Sequence, residues 1–134
     1  MKIHIPSYDE IEQIGEEIII HSWDTWSMDF TLAKIVLPML KQLKETKHGA
    51  PFVDMSDRPD NLQCYKEPED YETDKFHFQA WDWALDEMIY SFDCKANKDD
   101  VYMRFKDRKE MEKEQERISN GFRLFGKYYE SLWD

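Results

Sequence analysis

Long apolar runs are missing from this 134-residue sequence, and cysteine is scarce. Runs such as Ile18–Ile20 fall far short of the roughly 18 apolar residues that a membrane span needs. The N-terminus lacks the apolar core and the small-residue cleavage site of a signal peptide. Cys64 and Cys94 are isolated and have no CxxC spacing, which argues against a disulfide framework and a cysteine zinc site. These absences predict a cytosolic protein without a membrane partner.

Basic residues are also few, with 18 Lys and Arg against 29 Asp and Glu and a net charge of −11. Such a balance argues against a general nucleic-acid coat, which must displace counterions with a basic surface. It permits an acidic decoy that imitates DNA, although acidity more commonly serves solubility. Aromatic residues make up 15% of the chain, whereas disordered chains are poor in them. The length and composition predict a single folded domain over 1–134.

Apolar periodicity predicts a mainly α fold with a small N-terminal β element and a long loop over 49–74. The three helices of the core are expected at about 27–47, 74–92 and 100–133. The β element would pair the alternating run around Ile3 and Ile5 with the run Glu17–His21, with Ile11, Ile14 and Gly15 in the connection. The long loop holds three of the five prolines and has no sustained period.

Each predicted helix carries one apolar stripe. For the first helix the stripe consists of Met28, Leu32, Ile35, Val36, Met39, Leu40 and Leu43. The second has Phe78, Trp81, Leu85, Met88, Ile89 and Phe92, and the third has Met111, Ile118, Phe122, Phe125, Tyr129 and Leu132. Pro38 should kink the first helix, because it removes a backbone donor. The third stripe keeps its phase through Gly121 and Gly126, which predicts a continuous helix in which these glycines allow the close approach of a neighbouring backbone or a ligand.

Most informative is the concentration of basic residues in two islands. The first island is Lys34, Lys41, Lys44, Lys47 and His48, with one acid, Glu45, among them. The second is Arg117, Arg123 and Lys127, and Asn120 shares the helix face of the last two. If these faces meet, they form a cationic pocket for phosphate or carboxylate groups. The alternative is that the cations pair with the acids of 67–74, 82–87 or 107–116.

Tryptophans beside such a pocket suit stacking on a nucleobase. Trp23 and Trp26 precede the first helix, and Trp83 projects away from Trp81 within the second. Trp26 and Trp83 are therefore the candidate stacking residues. Ordinary core positions are the alternative, since the chain is rich in aromatics.

Motifs of catalysis and metal binding are absent. Asp82, Asp86 and Glu87 lie close together on the second helix, but no Glu or Asp stands three residues before a histidine, as a carboxylate-bridged metal pair needs. No nucleophile elbow, Gly-rich phosphate loop or HExxH sequence occurs. We expect no metal, no cofactor and no catalytic residue.

Several blocks resemble a family of small proteins of tailed bacteriophages that has no assigned activity. The blocks are WDTWSMD at 23–29, LPMLKQLK at 37–44, KHGAP at 47–51, WDW and DEMI at 81–89, and NGFRLFGKYY at 120–129. The resemblance implies expression in the cytosol of an infected bacterium. Small phage proteins often inhibit host defences there, either by sequestering a signalling nucleotide or by occupying a defence protein. Virion parts and host-takeover factors are the alternatives.

Three functions follow as hypotheses. The first is a non-enzymatic binding protein that sequesters an anionic ligand such as a nucleotide. Its site residues would be Lys41, Lys44, His48, Asn120, Arg123, Lys127, Trp26 and Trp83. The second is an acidic decoy that binds a host protein through acids such as Glu67, Glu69 and Asp70. The third is an enzyme acting on nucleotides through Asp82, Asp86 or Glu87. A homo-oligomer is possible in each case.

Overall fold

The computed structural model describes residues 1–4, 17–65 and 72–134. Their architecture is mainly α, as predicted, with four helices: α1 (Met28–Thr46), α2 (His77–Asn97), α3 (Val101–Arg104) and α4 (Arg108–Lys127). Helix α2 is central, because α1 and α4 both pack against it. None of the described helices is long and apolar enough to cross a membrane.

Two short strands form the N-terminal β element, which confirms the predicted antiparallel ribbon. Strand β1 (Lys2–His4) pairs with β2 (Glu17–Ile19), and Ile3 is opposite Ile18. Ile5 and the predicted connection with Ile11, Ile14 and Gly15 lie outside the described residues.

The main core lies between α2 and its two neighbours. Its largest fully buried side chains are Trp81, Leu85, Met88, Leu124 and Val53. Phe92 of α2 meets Phe122 and Phe125 of α4 edge to face, with ring centroids 5.0 and 4.9 Å apart. These aromatic contacts fix α4 along α2.

Gly121 sets the separation of α2 and α4. A Cβ atom at this position would lie 1.9 Å from Ser91 Oγ and 2.4 Å from the Glu87 carbonyl oxygen. Ser91 also donates a hydrogen bond of 2.8 Å from Oγ to the Ile118 carbonyl. The predicted close approach is therefore confirmed at Gly121. At Gly126 a Cβ atom would have no neighbour within 4 Å among the described residues, so no backbone approaches there and the ligand alternative stays a prediction.

Helix α1 follows its predicted bounds, but the buried face differs from the predicted stripe. Ala33, Leu37 and Leu40 are buried, whereas Met28, Leu32 and Met39 are 53%, 41% and 63% exposed. The apolar arc of α1 is wider than one stripe, and only the part against α2 is covered. Pro38 lies inside the helix on an exposed position, and the helix continues through it.

The third predicted helix is interrupted, contrary to the continuous helix expected over 100–133. Phe105 ends α3 in an extended conformation, and Asp107 begins α4 as an N-cap whose side chain accepts from the Lys109 amide at 3.2 Å. The Asp107 cap competes with continuation of the helix, since a cap residue is itself non-helical. The helix does run unbroken through Asn120 and Gly121, as predicted.

Helix α2 extends five residues beyond its predicted end, because the polar run after Phe92 lies on its exposed side. Within this extension Cys94 and Ala96 are buried. The exposed Asn97 donates a hydrogen bond to Asp93 Oδ1 one turn earlier. The start is later than predicted, because the Asp74 carboxylate accepts from the Phe76 amide at 3.0 Å and holds an N-terminal turn.

The long loop is present but contains two 3-10 turns, Met55–Asp57 and Asp60–Leu62. Arg58, which is 4% exposed, forms a two-point ion pair with Asp74 at 2.8 and 2.9 Å. Its Nε donates to the Val53 carbonyl at 2.8 Å. The loop from Val53 to Leu62 is therefore fixed against the start of α2. Residues 66–71, which include Glu67, Glu69 and Asp70, lie outside the described residues.

Candidate functional site

The first basic island is joined to α2 by ion pairs. Lys44 Nζ lies 2.5 Å from Asp86 Oδ1, and Lys47 Nζ lies 2.5 Å from Asp82 Oδ1. Asp82 Oδ1 is a buried oxygen that accepts no hydrogen bond, and the Lys47 ammonium is its ion-pair partner among the described residues. These two lysines therefore pair with the acids of 82–87, which was the alternative to an anion pocket.

The end of the first island is joined to the C-terminus. His48 donates from its backbone amide to Asp134 Oδ1 at 2.8 Å, and its Nδ1 lies 2.7 Å from the same oxygen. The hydrogen bond from the His48 side chain lowers the pKa of the Asp134 carboxyl. The imidazole is 89% exposed, so this contact holds the chain end only weakly against the segment after α1.

Two residues of the second basic island, Arg123 and Lys127, converge on one buried carboxylate, that of Asp57. Arg123 NH2 donates to Asp57 Oδ1 at 2.8 Å, and Lys127 Nζ donates to Asp57 Oδ2 at 2.6 Å. Asn120 Oδ1 accepts from Arg123 Nε at 2.9 Å, and Lys127 also contacts Asp54 Oδ2 at 2.7 Å. We call the set Asp54, Asp57, Arg123, Lys127 and Tyr128 the Asp57 cluster.

Tyr128 completes the Asp57 cluster. Its hydroxyl donates to Asp57 Oδ2 at 2.7 Å and accepts from the Asp54 amide at 2.9 Å. Burial raises the pKa of Asp57, but hydrogen bonds from Lys127, Tyr128 and Arg123 outweigh it and lower the pKa to about 2. Burial and the bond to Asp57 raise the pKa of Tyr128 to about 12. The cluster fixes the loop to the end of α4, so its cations already have an anionic partner within the chain.

The two islands pair with different carboxylates. Lys44 and Lys47 are held on the α1–α2 side, whereas Arg123 and Lys127 are held by the loop at the end of α4. Helix α2 separates α1 from α4, which is the physical reason. Lys41 is exposed and has no carboxylate partner among the described residues. The expected convergence on one cationic pocket is therefore not seen, and the binding roles of these residues stay predictions.

Trp83 and Trp26, the two candidate stacking residues, lie in different environments. Trp83 is half-buried and packs against the main core. Trp26 is 79% exposed, and its ring centroid lies 5.4 Å from that of Trp23, which is 75% exposed. Across the described residues, neither indole has a cation over its ring. The environment of Trp83 favours the core alternative, while Trp23 and Trp26 form an exposed tryptophan pair.

A capped turn holds the tryptophan pair. Ser22–Asp24 form a 3-10 turn, and the His21 amide donates to Asp24 Oδ2 at 2.8 Å. This backbone hydrogen bond lowers the pKa of the Asp24 carboxyl, and the chain's amino terminus lies 3.3 Å from the same oxygen. The pair is therefore presented by an ordered segment between β2 and α1. Ile18 in β2, Ile20 directly after it and Met28 at the start of α1 are each more than half exposed.

A groove of about 620 Å³ runs along the face of α4 that points away from α2. Among its lining residues are Gln115, Ser119, Asn120 and Arg123, together with Tyr102 of α3. Tyr102 is 81% exposed. Two of the predicted site residues therefore share a groove of the size that small-molecule sites have. Lys41, Lys44 and His48 do not line it.

The carboxylates proposed for catalysis are engaged in ion pairs. Arg117 reaches both oxygens of Glu87, at 3.0 and 3.2 Å, while Asp86 pairs with Lys44 in the last turn of α1 and Asp82 pairs with Lys47 directly after it. Within the described ranges, no three His, Cys, Asp or Glu side chains are arranged to hold a metal ion. The positions of these carboxylates are explained by helix packing.

Two buried charged groups were missed by the sequence reasoning. Asp57 and Arg58 are neighbours in the loop, yet one binds the cations of α4 and the other binds Asp74. Their spacing in the sequence carries no periodic signal. The only available hint is a lone arginine in an acidic, proline-rich segment.

No family model matches the chain, and no curated protein or solved structure is significantly similar to it. The resemblance to small tailed-phage proteins therefore stays an expectation.

Proposed function

We propose that this protein is a non-enzymatic binding protein whose ligand is another protein, held through the exposed tryptophan pair, Trp23 and Trp26. The observation that carries the proposal is that both indoles are at least three-quarters exposed although an ordered turn fixes them. Large apolar groups that a fold holds rigidly in solvent are typical of the anchors of protein interfaces.

The hydrogen-bonded turn before α1 supports binding. A backbone segment that is already ordered loses little conformational entropy when a partner covers it. The neighbouring exposed residues Ile18, Ile20 and Met28 extend the apolar area around the two rings. Tryptophan is also among the residue types that contribute most to protein interfaces.

The contacts of the basic islands argue against a phosphate ligand and therefore favour a protein ligand. Arg123 and Lys127 share the Asp57 carboxylate, and Lys44 and Lys47 hold carboxylates of α2. A phosphate would have to displace these internal anions from a chain of net charge −11. Binding of a protein at the tryptophan pair needs no such rearrangement. The phage resemblance favours a partner from the infected bacterium.

A photo-cross-linking experiment tests the proposal. A photo-reactive phenylalanine analogue replaces Trp26 in one variant and Trp133 in the other, and both are expressed in bacterial cytosol. Trp133 is 73% exposed at the C-terminus, so it is a matched control. We expect a discrete protein adduct at position 26 that is absent at position 133.

Affinity of the purified partner then decides the outcome. The partner identified from the adduct should bind the unmodified chain, and Trp26→Ser should weaken this binding at least about tenfold. Trp133→Ser should leave it unchanged. Equal adducts at both positions, or equal affinity for Trp26→Ser, would contradict the proposal.

A second candidate function, nucleotide binding, is supported by the groove along α4. Its lining combines the Asn120 and Gln115 amides and the exposed Tyr102 ring with the Arg123 guanidinium, which a phosphate would have to draw away from Asp57. It also includes Glu112 and Glu116. The amides, the ring and the guanidinium suit a base edge, a base face and a phosphate respectively. Calorimetry with cyclic and linear nucleotides tests it. Tyr102→Ala should abolish binding without unfolding the chain, and an absence of heat across the panel would reject it.

A further inference from the structure

The indole faces of the tryptophan pair, Trp23 and Trp26, are open to a cation from another molecule. Within the described part of the chain, every cation–π contact lies on a phenylalanine or tyrosine ring. Lys34, the first lysine after the pair, lies 4.5 Å from the centroid of the Phe30 ring. Tryptophan attracts a cation more strongly than phenylalanine or tyrosine does. The pair therefore offers two strong cation acceptors that the chain itself leaves unoccupied among the described residues.

The sequence around the tryptophan pair is strongly acidic. Residues 3–33 contain seven Asp and Glu and no Lys or Arg, so this stretch carries more than half of the net charge of −11. Four of these acids belong to 5–16, which lies outside the described residues. The chain joins them to β2, which is followed by the turn that holds the pair. A partner that approaches the pair therefore meets an excess of negative charge, which attracts a basic surface and repels an acidic one.

Two positive charges near the tryptophan pair are already held by acids of the chain. The amino terminus lies 3.3 Å from Asp24 Oδ2, and Lys95 Nζ lies 2.5 Å from Asp29 Oδ2. Asp29 also lies in the first turn of α1, where it offsets the positive end of the helix dipole. These two cations neutralise only two of the seven acids of 3–33, so the stretch keeps its negative charge.

Arginine matches both the charge and the apolar groups around the tryptophan pair. Its planar guanidinium is always charged and stacks on aromatic faces. Its aliphatic stem covers apolar surface while the charged head stays in water. Apolar surface is present next to the pair in the chain, since Ile20 and Met28 are 52% and 53% exposed. A purely apolar partner would cover these groups but would gain nothing from the negative charge.

We propose that the partner held at the tryptophan pair presents an exposed basic segment whose arginine side chains stack on the two indoles. This partner chemistry rests on the proposed function, since it concerns the same pair. Cation–π stacking supplies part of the affinity, and the negative charge of 3–33 steers the segment towards the pair. Binding of this kind weakens as salt is added, because exposed charges are screened.

A short fluorescent peptide in which arginine alternates with glycine tests this chemistry. Fluorescence anisotropy with the unmodified chain at up to roughly 1 mM should show binding at low salt. The same peptide with citrulline, which has nearly the shape of arginine without its charge, should not bind. An absence of binding by the arginine peptide, or equal binding of the two peptides, would overturn the proposal.

Variants of the tryptophan pair show whether the arginine peptide binds there. Trp26→Leu keeps an apolar side chain but removes the aromatic face, so it should weaken binding about two- to fivefold. Trp133→Leu is the matched control, because Trp133 is 73% exposed at the C-terminus, and it should leave binding unchanged. Equal losses in the two variants would place the peptide elsewhere and would overturn the proposal.

A charge-matched pair of double variants tests the role of the local acids. Glu17→Gln with Asp29→Asn removes two negative charges near the tryptophan pair in the sequence and also releases Lys95. Glu45→Gln with Glu130→Gln removes two charges at exposed positions, and Glu45 lies roughly 25 Å along α1 from its start. The first double variant should weaken binding of the arginine peptide at least about twofold, and the second should not. An equal effect of the two would contradict local charge selection.

The partner chemistry and the proposed function fail separately. The partner identified by cross-linking at position 26 should bind at least about tenfold more weakly when sodium chloride is raised from roughly 50 to 500 mM. A partner whose binding depends on Trp26 but not on salt rejects the basic segment and leaves the proposed function in place. A chain that binds the arginine peptide through Trp26 but gives no protein adduct rejects the proposed function instead.

Discussion

The region around α2 and the region before α1 use their large and charged side chains in opposite ways. Around α2, charged groups such as Arg58, Asp57 and Asp74 are covered and saturated with contacts. Before α1, Trp23 and Trp26 are ordered but face solvent. The comparison indicates that the first region determines stability and that the second is available for binding.

The largest expected effect comes from the first region, through Arg58→Ala. Removal of the guanidinium leaves the buried Asp74 carboxylate unpaired, which costs about 3–5 kcal/mol of the free energy of unfolding. Urea unfolding followed by circular dichroism measures it. Arg108→Ala is the control, because the Arg108 side chain is 88% exposed in its pair with Glu112 and should change stability by less than about 0.5 kcal/mol. Equal effects of the two variants would contradict the comparison.

Gly121→Ala should destabilise the chain by about 3 kcal/mol, since the added Cβ meets Ser91 and the Glu87 backbone. Gly126→Ala is a matched change on the same helix with no neighbour within 4 Å among the described residues. It should stabilise by up to about 1 kcal/mol, because alanine favours the helix. Thermal unfolding of both variants checks the prediction. A stable Gly121→Ala variant would mean that α2 and α4 are farther apart than described.

Asp57→Asn should destabilise the chain by about 2 kcal/mol, because the amide cannot accept charge-assisted bonds from Arg123, Lys127 and Tyr128 together. Asp60→Asn, at an exposed position of the next 3-10 turn, is the control. Urea unfolding at neutral pH measures both. If nucleotide binding needs Arg123 and Lys127 to be released from Asp57, the Asp57→Asn variant should also bind a nucleotide more tightly than the unmodified chain does.

The pH dependence of stability isolates the same carboxylate. The pKa of Asp57 falls to about 2 in the folded chain. The carboxylate therefore contributes to the free energy of unfolding at pH values above its pKa in the unfolded chain, which is near 4. This contribution, about 1–2 kcal/mol, is lost as the pH falls from 4 through 2. The difference in unfolding free energy between the unmodified chain and Asp57→Asn should therefore shrink over this window. A constant difference would contradict the assignment of the pKa.

Much of the fold could be predicted from the sequence, because helix periodicity and the alternation near Ile3 are local signals. The bounds of α1 and the passage of α4 through Gly121 follow from them. The buried face of α1 could not be predicted, since both of its apolar flanks satisfy the period and only tertiary packing chooses Leu37 over Met39. The break at Asp107 depends on a cap that competes with a helix-compatible pattern.

The basic islands show why site prediction was harder. Their residues were identified correctly as clustered on helix faces. The carboxylate that pairs with Arg123 and Lys127 belongs to Asp57, which lies 66 and 70 positions earlier in the sequence. No local spacing encodes such a contact. The exposed tryptophan pair was visible as a sequence block, yet its exposure depends on which faces the helices leave uncovered.

Parallel measurement of stability and partner affinity for Trp26→Ser tests the central claim most directly. The variant should unfold within about 0.5 kcal/mol of the unmodified chain, since the indole is 79% exposed, and should bind the cross-linked partner at least about tenfold more weakly. A variant that binds normally, or one that loses stability together with binding, would contradict the division between a stabilising region and a binding region.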